Sequence, residues 1–274
     1  MNQPYIISES LPILDAIRKL NEIKDGPLVL FVTDSNSAMR GTLTDGDVRR
    51  ALIKGISVDA PISEAMHRNF NFLRRGVNDG VEDIHRQRDL KMRLVPILDE
   101  ENHICEIINL EHYLTKLPID AVLMAGGKGE RLRPLTEKTP KPLIKVGDKC
   151  IIDYNIDRLL LYGLNHISVT INYLGEQLEE HFREPCDGVK IHTVREPKYL
   201  GTIGSIKFVE TFYNDTVLVM NSDLFTNIDY EDFFLHFHQH DADMSVAAVP
   251  YVVKVPYGVV NLCLLYTSPS PRDL

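Results

Sequence analysis

One stretch near the N-terminus recurs at a fixed distance, which limits the first ~115 residues to two copies of a single supersecondary unit. Pro27 to Val48, PLVLFVTDSNSAMRGTLTDGDV, realigns on Arg93 to Tyr113, RLVPILDEENHICEIINLEHY. Asp34 falls on Asp99, Met39 on Ile104 and Thr44 on Asn109, a constant offset of 65. Each copy reads strand, polar turn, strand, helix. Each also follows a helical pattern: Leu11, Leu14, Ile17, Leu20 and Ile23 before the first, Val81 and Ile84 before the second. Asp45 reads as the N-cap of a helix from Gly46 to Ile53, with Asp47 adding favourable charge to its first turn.

Only Thr115-Lys116-Leu117-Pro118 separates this repeat from an apolar run, Ile119 to Met124, that reads as a buried strand. Four residues span little more than ~14 Å, so the two regions must lie close together. From Ile119 onward, strands alternate with helices. Strands are expected at Leu143–Val146, His166–Asn172, Ile191–Val194 and Val217–Asn221. Helices are expected at Ile151–Tyr162, Glu176–Phe182, Ser205–Phe212 and Tyr230–His240. This alternation predicts an α/β domain with a mostly parallel sheet, whose ligands gather at the carboxyl ends of strands.

The run at Ile119 opens into LMAGGKGERLRPLT, Leu123 to Thr136, followed by Pro140-Lys141-Pro142. Glycines let main-chain N–H groups approach anionic oxygens, and Lys128, Arg131, Arg133 and Lys141 can supply countercharge, which suits a nucleoside triphosphate. Two generic motifs fail. No Gly-Lys-Ser/Thr occurs in the chain, so there is no P-loop. A dinucleotide fingerprint starting at Gly127 and Gly129 would need a third glycine where Leu132 stands.

Gly126-Gly-x-Gly-x-Arg131-Leu-x-Pro134-Leu135-Thr136, then Pro140-Lys141-Pro142, resembles over about seventeen positions the signature of sugar-phosphate nucleotidyltransferases, the nucleotide-diphospho-sugar pyrophosphorylases. That resemblance implies a Rossmann-like catalytic domain over residues 119–262. It implies nucleotide binding by Ala125, Gly126, Gly127, Gly129, Glu196, Gly201 and Thr202, and catalysis by Arg131, Lys141 and Asp223. Asp223 closes the strand Val217-Leu-Val-Met-Asn-Ser-Asp. Alone, an aspartate there reads as a turn residue or cap; the resemblance makes it the ligand of Mg²⁺. Glu196 to Ser205 is similar to the family's Leu-Gly-Thr-Ala-Gly segment. Its two glycines before an expected helix would let backbone meet nucleotide at a helix N-terminus. The implied reaction joins a nucleoside triphosphate to a sugar 1-phosphate and releases pyrophosphate, with GTP the favoured donor.

The repeat, residues 1–116 with copies at about 1–60 and 61–116, resembles a tandem pair of CBS domains. Gly41-Thr-Leu-Thr44-x-x-Asp47 matches that family's pattern. The resemblance implies that Thr44 faces phosphate or ribose of an adenine nucleotide and that Asp47 accepts from ribose hydroxyls. In the second copy Asn109 and His112 stand instead, so at most one of two sites keeps its ribose acceptor. A regulatory sensor and a structural or oligomerising pair both stay open; a homo-oligomer is expected.

The 274 residues are 44% hydrophobic and 25% charged, ordinary for a soluble protein of about two domains. A net charge of −9 argues against a nucleic-acid partner. No apolar run reaches the ~18 residues of a membrane span, and MNQPYIISESLP lacks the blocks of a signal peptide, so the expected address is the cytoplasm without membrane contact. Cys105, Cys150, Cys186 and Cys263 lie far apart, which argues against a zinc site or disulfide framework. His236, His238 and His240 read as solvated helix histidines, and His85-Arg-Gln-Arg-Asp-Leu-Lys as a charged helix face. After Asn261, where the nucleotidyltransferase pattern would supply a Glu-Lys-Pro segment and a second metal-binding aspartate, the chain reads CLLYTSPSPRDL. Residues 263–274 are therefore expected to be a disordered, non-native tail on a truncated domain. Two function classes stay open: a nucleotide-sugar-forming enzyme or its fragment, and a non-catalytic nucleotide sensor.

Overall fold

The computed structural model describes residues 4–24, 26–198, 201, 203–250, 252, 260–261 and 266–267. They fall into two compact units, Met1–Phe233 and Phe234–Leu274. The expected tail lies outside the described residues except for Tyr266–Thr267, which pair with Val260–Asn261. The boundary between units does not fall at the 115–118 linker, because that linker is packed rather than free.

The first copy builds β1 (Ile6–Ser8), α1 (Ile13–Glu22), β2 (Val29–Thr33), β3 (Met39–Thr44) and α2 (Asp45–Ile53). The second builds β4 (Leu73–Arg74), α3 (Val81–Asp89), β5 (Leu94–Leu98) and β6 (Ile104–Asn109). The sheets run β1-β2-β3 and β4-β5-β6, with the first pair of each parallel and the second antiparallel. The offset of the sequence persists in register. Val29 faces Thr44 as Leu94 faces Asn109, and both ladders slip at the same place, Val32/Thr33 and Ile97/Leu98. Successive apolar residues divide by face, as strand geometry requires. Leu30 and Val32 join Ile13, Leu20 and Leu43 in their own core, while Phe31 turns to Leu94 and Leu98 of the other copy. The hairpins touch where Ala38 bridges His103 and the Met39 N–H donates to the Asn102 carbonyl at 2.8 Å.

Two local expectations are corrected. The N-cap of α2 is Thr44 and not Asp45: Thr44 Oγ1 accepts from the Asp47 N–H at 3.2 Å, and Asp47 Oδ2 accepts from the Thr44 N–H at 2.9 Å. That reciprocal pair satisfies two donors, whereas Asp45 capping would satisfy one. The second copy has no helix after β6. The Asn109 carbonyl takes the His112 and Tyr113 N–H groups in one turn; then the Leu114 and Leu117 N–H groups donate to the Leu161 and Tyr162 carbonyls at 2.6 and 3.0 Å. The linker is thereby drawn onto the following domain. Gly163 accommodates it, since a Cβ there would lie 2.7 Å from the Thr115 carbonyl.

That domain contains β7 (Ile119–Met124), a separate hairpin of β8 (Lys145–Val146) and β9 (Lys149–Cys150), α4 (Ile151–Leu161), β10 (Ile167–Ile171), α5 (Gly175–His181), β11 (Ile191–Arg195), β12 (Thr216–Asn221) and α6 (Tyr230–Gln239). The sheet order is β11-β10-β7-β12, and all three pairings are parallel, as expected. Leu143–Val146 is not a sheet strand: Lys141–Leu143 makes a 3₁₀ turn and Lys145–Val146 enters the hairpin. Ser205–Phe212 is not an α-helix but a 3₁₀ segment, Gly204–Phe208. The buried Ser205 hydroxyl lies 3.0 Å from Thr170 Oγ1 and ties this segment to β10. Asp120, a carboxylate within the otherwise apolar β7, accepts from the Tyr213 N–H at 2.6 Å and from Asn214 Nδ2 at 2.7 Å, so its buried charge fixes the turn before β12.

The charged face of α3 is not merely solvated. His85 Nδ1 and Arg88 Nη1 meet the two oxygens of Glu231 at 2.5 and 2.9 Å, and Glu231 is buried at 2% exposure in the first turn of α6. The repeat is therefore clasped to the helix that follows the Asp223 loop.

Candidate active site

The strand order places the site. From β7 the chain moves to β10 and then β11 on one side, and then crosses to β12 on the other. The winding direction reverses between β7 and β12, and in open parallel sheets the crevice for a ligand opens outside the carboxyl ends of that pair. The glycine loop follows β7, and Asp223 follows β12.

A cleft of about 580 Å³ opens there. Its walls include Ala125, Gly126, Gly127, Gly129, Arg131, Lys141, Glu196, Gly201 and Asp223, so the structure gathers nine of the ten residues expected of the catalytic and nucleotide sites. Thr202 lies outside the described residues. The Lys141 ammonium contacts Asp223 Oδ2 across 82 positions of sequence. Lys128 and Arg133 are not among the cleft's walls; Arg133 lies 3.8 Å from Glu130.

The glycines are not equivalent. Gly129 sits at φ +61, and a Cβ on it would lie 2.9 Å from Thr136 Cγ2 and 3.2 Å from Lys141 Cβ. The buried Thr136 donates to the Gly129 carbonyl at 2.9 Å, folding the loop back so that Lys141 reaches the cleft. At Gly126 a Cβ would lie 2.6 Å from Glu196 Oε1. Gly127 has no atom within 4 Å of that position, so no neighbour in the fold requires a glycine there. The glycines near 201 do not precede an α-helix, so the expected helix N-terminus is absent from this wall.

Asn155 and Ser222 are positioning residues that the sequence did not single out. The Ser222 hydroxyl and N–H both donate to the Met124 carbonyl, at 2.8 and 3.1 Å, and Asn155 Nδ2 donates to the Ser222 carbonyl at 3.1 Å. They pin the tip of β12 to the tip of β7 and fix Asp223 beside the loop. A buried asparagine on the apolar face of α4 was the available signal.

In the repeat, Thr44 and Asp47 adjoin but engage each other. Asp47 Oδ2 also accepts from Thr44 Oγ1 at 2.6 Å, and Arg50 reaches Asp47 Oδ1 at 2.5 Å. Burial pushes the Asp47 carboxyl up, but the hydrogen bonds from Thr44 and Arg50 outweigh it and hold it below the ordinary value. The histidines of the 236–240 tract ligate nothing together: His236 and His240 stack at 4.2 Å, and among the described residues neither joins a group of three metal-ligating side chains. Among the described residues, no helix is long and apolar enough to cross a membrane.

A parallel sheet with its glycine loop and carboxylate at the switch point defines a nucleotide-handling α/β enzyme class. The model of the family described as Nucleotidyl transferase matches residues 120–263, more than half the chain, and the chain belongs to that family. A CBS domain model matches residues 1–54, so a CBS domain precedes the nucleotidyl transferase domain. The mannose-1-phosphate guanylyltransferase catalytic subunit beta of Danio rerio is 31% identical over 145 residues, 51% of this chain and 40% of that protein. The mannose-1-phosphate guanyltransferase of Kluyveromyces lactis is 32% identical over 145 residues, with the same coverage of 51% and 40%. The chain thus spans about two-fifths of the length of these curated relatives. Among solved structures, the CTP:phosphocholine cytidylyltransferase from Streptococcus pneumoniae is 33% identical at a TM-score of 0.36, covering 42% of this chain and 50% of that one.

Proposed function

We propose that the cleft between β7 and β12 joins GTP to a sugar 1-phosphate, forming a nucleotide-sugar and releasing pyrophosphate. The observation that carries this reading is convergence. The glycine loop, Lys141 and Asp223 wall one cleft, with the lysine on the carboxylate. The names of the guanylyltransferase relatives support the base and the class of acceptor.

A phosphate oxygen of the sugar 1-phosphate attacks the α-phosphorus in line, and the bond to the bridging oxygen of pyrophosphate breaks. No protein nucleophile is needed, so the chain's tasks are positioning and neutralising charge. Main-chain N–H groups of the 125–129 loop receive the phosphates. Arg131 and Lys141 offset their charge, while Glu196, Gly201 and Thr202 hold base and sugar. Nucleotidyltransferases generally use a divalent metal ion, and we propose Mg²⁺. Asp223 fits: Mg²⁺ takes hard oxygen ligands, one or two carboxylates beside substrate phosphates, and this side chain keeps 25% exposure in the cleft. Bound there, the ion would stabilise charge developing on the phosphates.

The same proposal assigns residues 1–116 to a regulatory CBS pair within a homo-oligomer, and 119–262 to catalysis. An adenine nucleotide at Thr44 and Asp47 has to compete with their capping box. The free thiols of Cys105, Cys150 and Cys186 suit the reducing cytoplasm.

The test is a thermal-shift panel of GTP, UTP, CTP, dTTP and ATP with Mg²⁺. GTP should raise the melting temperature most, since a ligand at 100 times its Kd adds about 2.7 kcal/mol. Pyrophosphate release from GTP and a sugar 1-phosphate is then measured on protein spanning the length of the relatives. Binding without release would favour a nucleotide sensor, and binding indifferent to Gly127→Val would place the ligand elsewhere.

A further inference from the structure

The sequence argued against zinc because its cysteines are far apart and unpaired. The fold assembles a mixed donor set instead. Cys150 ends β9 immediately before α4, Asp153 lies in the first turn of α4, and His181 ends α5. One thiol sulphur, one carboxylate oxygen and one imidazole nitrogen all lie within 4.8 Å of one another. Asp153 Oδ1 and His181 Nε2 are 2.6 Å apart. Cys150 is buried, while the histidine reaches the surface and leaves a path for an ion.

We propose that Cys150, Asp153 and His181 form a binding site for a soft divalent cation of the zinc class, separate from the Asp223 cleft and independent of the nucleotidyl-transfer reading. A tetrahedral zinc ion, at about 2.0–2.3 Å from N, O and S donors, holds them roughly 3.3–3.6 Å apart. The three atoms therefore have to shift by about 1 Å to enclose it. The present contacts show what the ion would replace. A carboxylate only accepts, so His181 Nε2 carries a proton toward Asp153, and the Cys150 thiol also bonds to that carboxyl. The two donated protons point to where the dication would sit, and metal entry sends the thiol proton to solvent and the Nε2 proton to Nδ1 or solvent, leaving sulphur and nitrogen free to ligate.

The donor set selects the metal: thiolate and imidazole favour zinc-like ions over Mg²⁺. Carboxylates outweigh cations in the surroundings. Burial first, and then the charges of Asp153, Asp157 and Asp187, push the neighbouring Cys186 thiol up against the opposing charge of Lys190, and the same carboxylates attract a cation. Lys149 is tied to Asp157 at 2.5 Å, and Lys145 is the positive charge felt at Cys150. The consequence for the fold is a staple between the start of α4 and the end of α5.

The experiment is a Co²⁺ titration of the full chain after chelator treatment, followed by absorption. One Co²⁺ per chain should bind with a thiolate-to-cobalt charge-transfer band that Zn²⁺ abolishes by displacement. An ion at Asp223 has no sulphur ligand and gives no such band. Cys150→Ser should remove the band, and Cys105→Ser should leave it. Because Cys150 is buried at a helix start, where a substitution also acts on folding, the exposed His181→Ala provides the second arm. It should weaken Co²⁺ binding by at least the ~10–100-fold that even orienting partners contribute, with the melting temperature of the metal-free protein nearly unchanged. Absence of the band in wild type, or a band that survives both His181→Ala and Cys150→Ser, overturns the site.

Discussion

Two strand ends in this chain look alike in sequence and behave differently. β3 ends in Thr44, with Asp47 three residues on; β12 ends in Asn221, with Ser222 and Asp223 next. Each releases a carboxylate beyond an apolar strand. After β3 a helix starts at once, so Thr44 becomes its N-cap and Asp47 its third residue, and their side chains go to donors that a helix start leaves bare. After β12 no helix begins until Tyr230. Asp223 has no helix start to serve and meets a residue from elsewhere, Lys141. Whether a strand-end carboxylate is available to a ligand depends on how soon the next helix begins. Glu231 extends the rule: Asp229 caps α6 through the Glu231 and Asp232 N–H groups at 2.9 and 3.2 Å, which leaves the Glu231 carboxylate for His85 and Arg88.

The largest effect that can break this comparison is at its open end. Lys141→Ala should reduce pyrophosphate release about 10²–10³-fold, the usual loss when one charge-stabilising donor is removed. Folding should change by less than about 1 kcal/mol, because the pair with Asp223 is partly exposed, at 36% and 25%. Turnover on protein of the relatives' length and a melting curve measure the two quantities. Unchanged turnover would show that Lys141 only neutralises Asp223.

Next comes the clasp. Arg88→Ala leaves the buried Glu231 with His85 alone, and hydrogen bonds to a charged group contribute about 1.5–3 kcal/mol. Arg88 is 30% exposed, so the lower part of that range is expected, read as a lower denaturant midpoint. Arg88 also donates to the Leu114 carbonyl of the linker, so no loss would mean that neither of its contacts helps to hold the repeat to the transferase domain.

How much of this was legible follows from the range of each signal. Ile119–Met124 and its glycine loop could be read because a buried strand and a bare backbone leave local patterns. The loop end of the candidate cleft could be read from the motif, since Gly129, Thr136 and Lys141 pack on one another within thirteen positions. The Thr44–Asp47 box was legible in principle but was assigned one residue late. Three features depend on tertiary placement: the pairing of α3 with Glu231, the Asn155–Ser222 brace, and the meeting of Cys150 with His181. Spacing cannot reveal a partner brought from another element, and for the cysteine it suggested the opposite. The helix expected at Ser205–Phe212 is a shorter 3₁₀ segment, Gly204–Phe208, and its tie to β10 through Ser205 and Thr170 likewise depends on a partner from another element.

A smaller effect tests the closed end. Thr44→Ala should cost about 1 kcal/mol, the usual worth of an N-cap, and Asp47→Ala a similar amount. The double variant should lose less than the sum, because the two residues serve one box. Additive losses in a denaturant cycle would show that they do not act as one unit and would reopen Asp47 as a ribose acceptor.

The smallest effect compares the two copies with each other. Asp34 and Asp99 are equivalent under the 65-residue offset, and each closes the turn of its hairpin by accepting main-chain N–H groups. Their side-chain partners differ: Arg40 Nε at 2.8 Å from Asp34, His103 Nδ1 at 3.0 Å from Asp99. For both aspartates burial pushes the carboxyl up and hydrogen bonds outweigh it, so each lies below its ordinary value of 3.8. Their contribution is present above that value and lost as acid takes the pH through the lower folded one. His103 adds a limb of opposite sign. The Asp99 hydrogen bond, against burial, raises its ring above the ordinary 6.5, so its contribution is full below 6.5 and lost as pH rises through the folded value. Arg40 stays charged throughout, so the first copy has no such limb. Between pH 6 and 8.5 wild type should lose slightly more melting temperature than His103→Gln, and the difference should shrink in ~1 M salt, where screening falls to about 3 Å. Equal slopes would mean that the hairpin contact at His103 rests on Asn36 and the Ala38 bridge, and that the ion pair adds nothing to it.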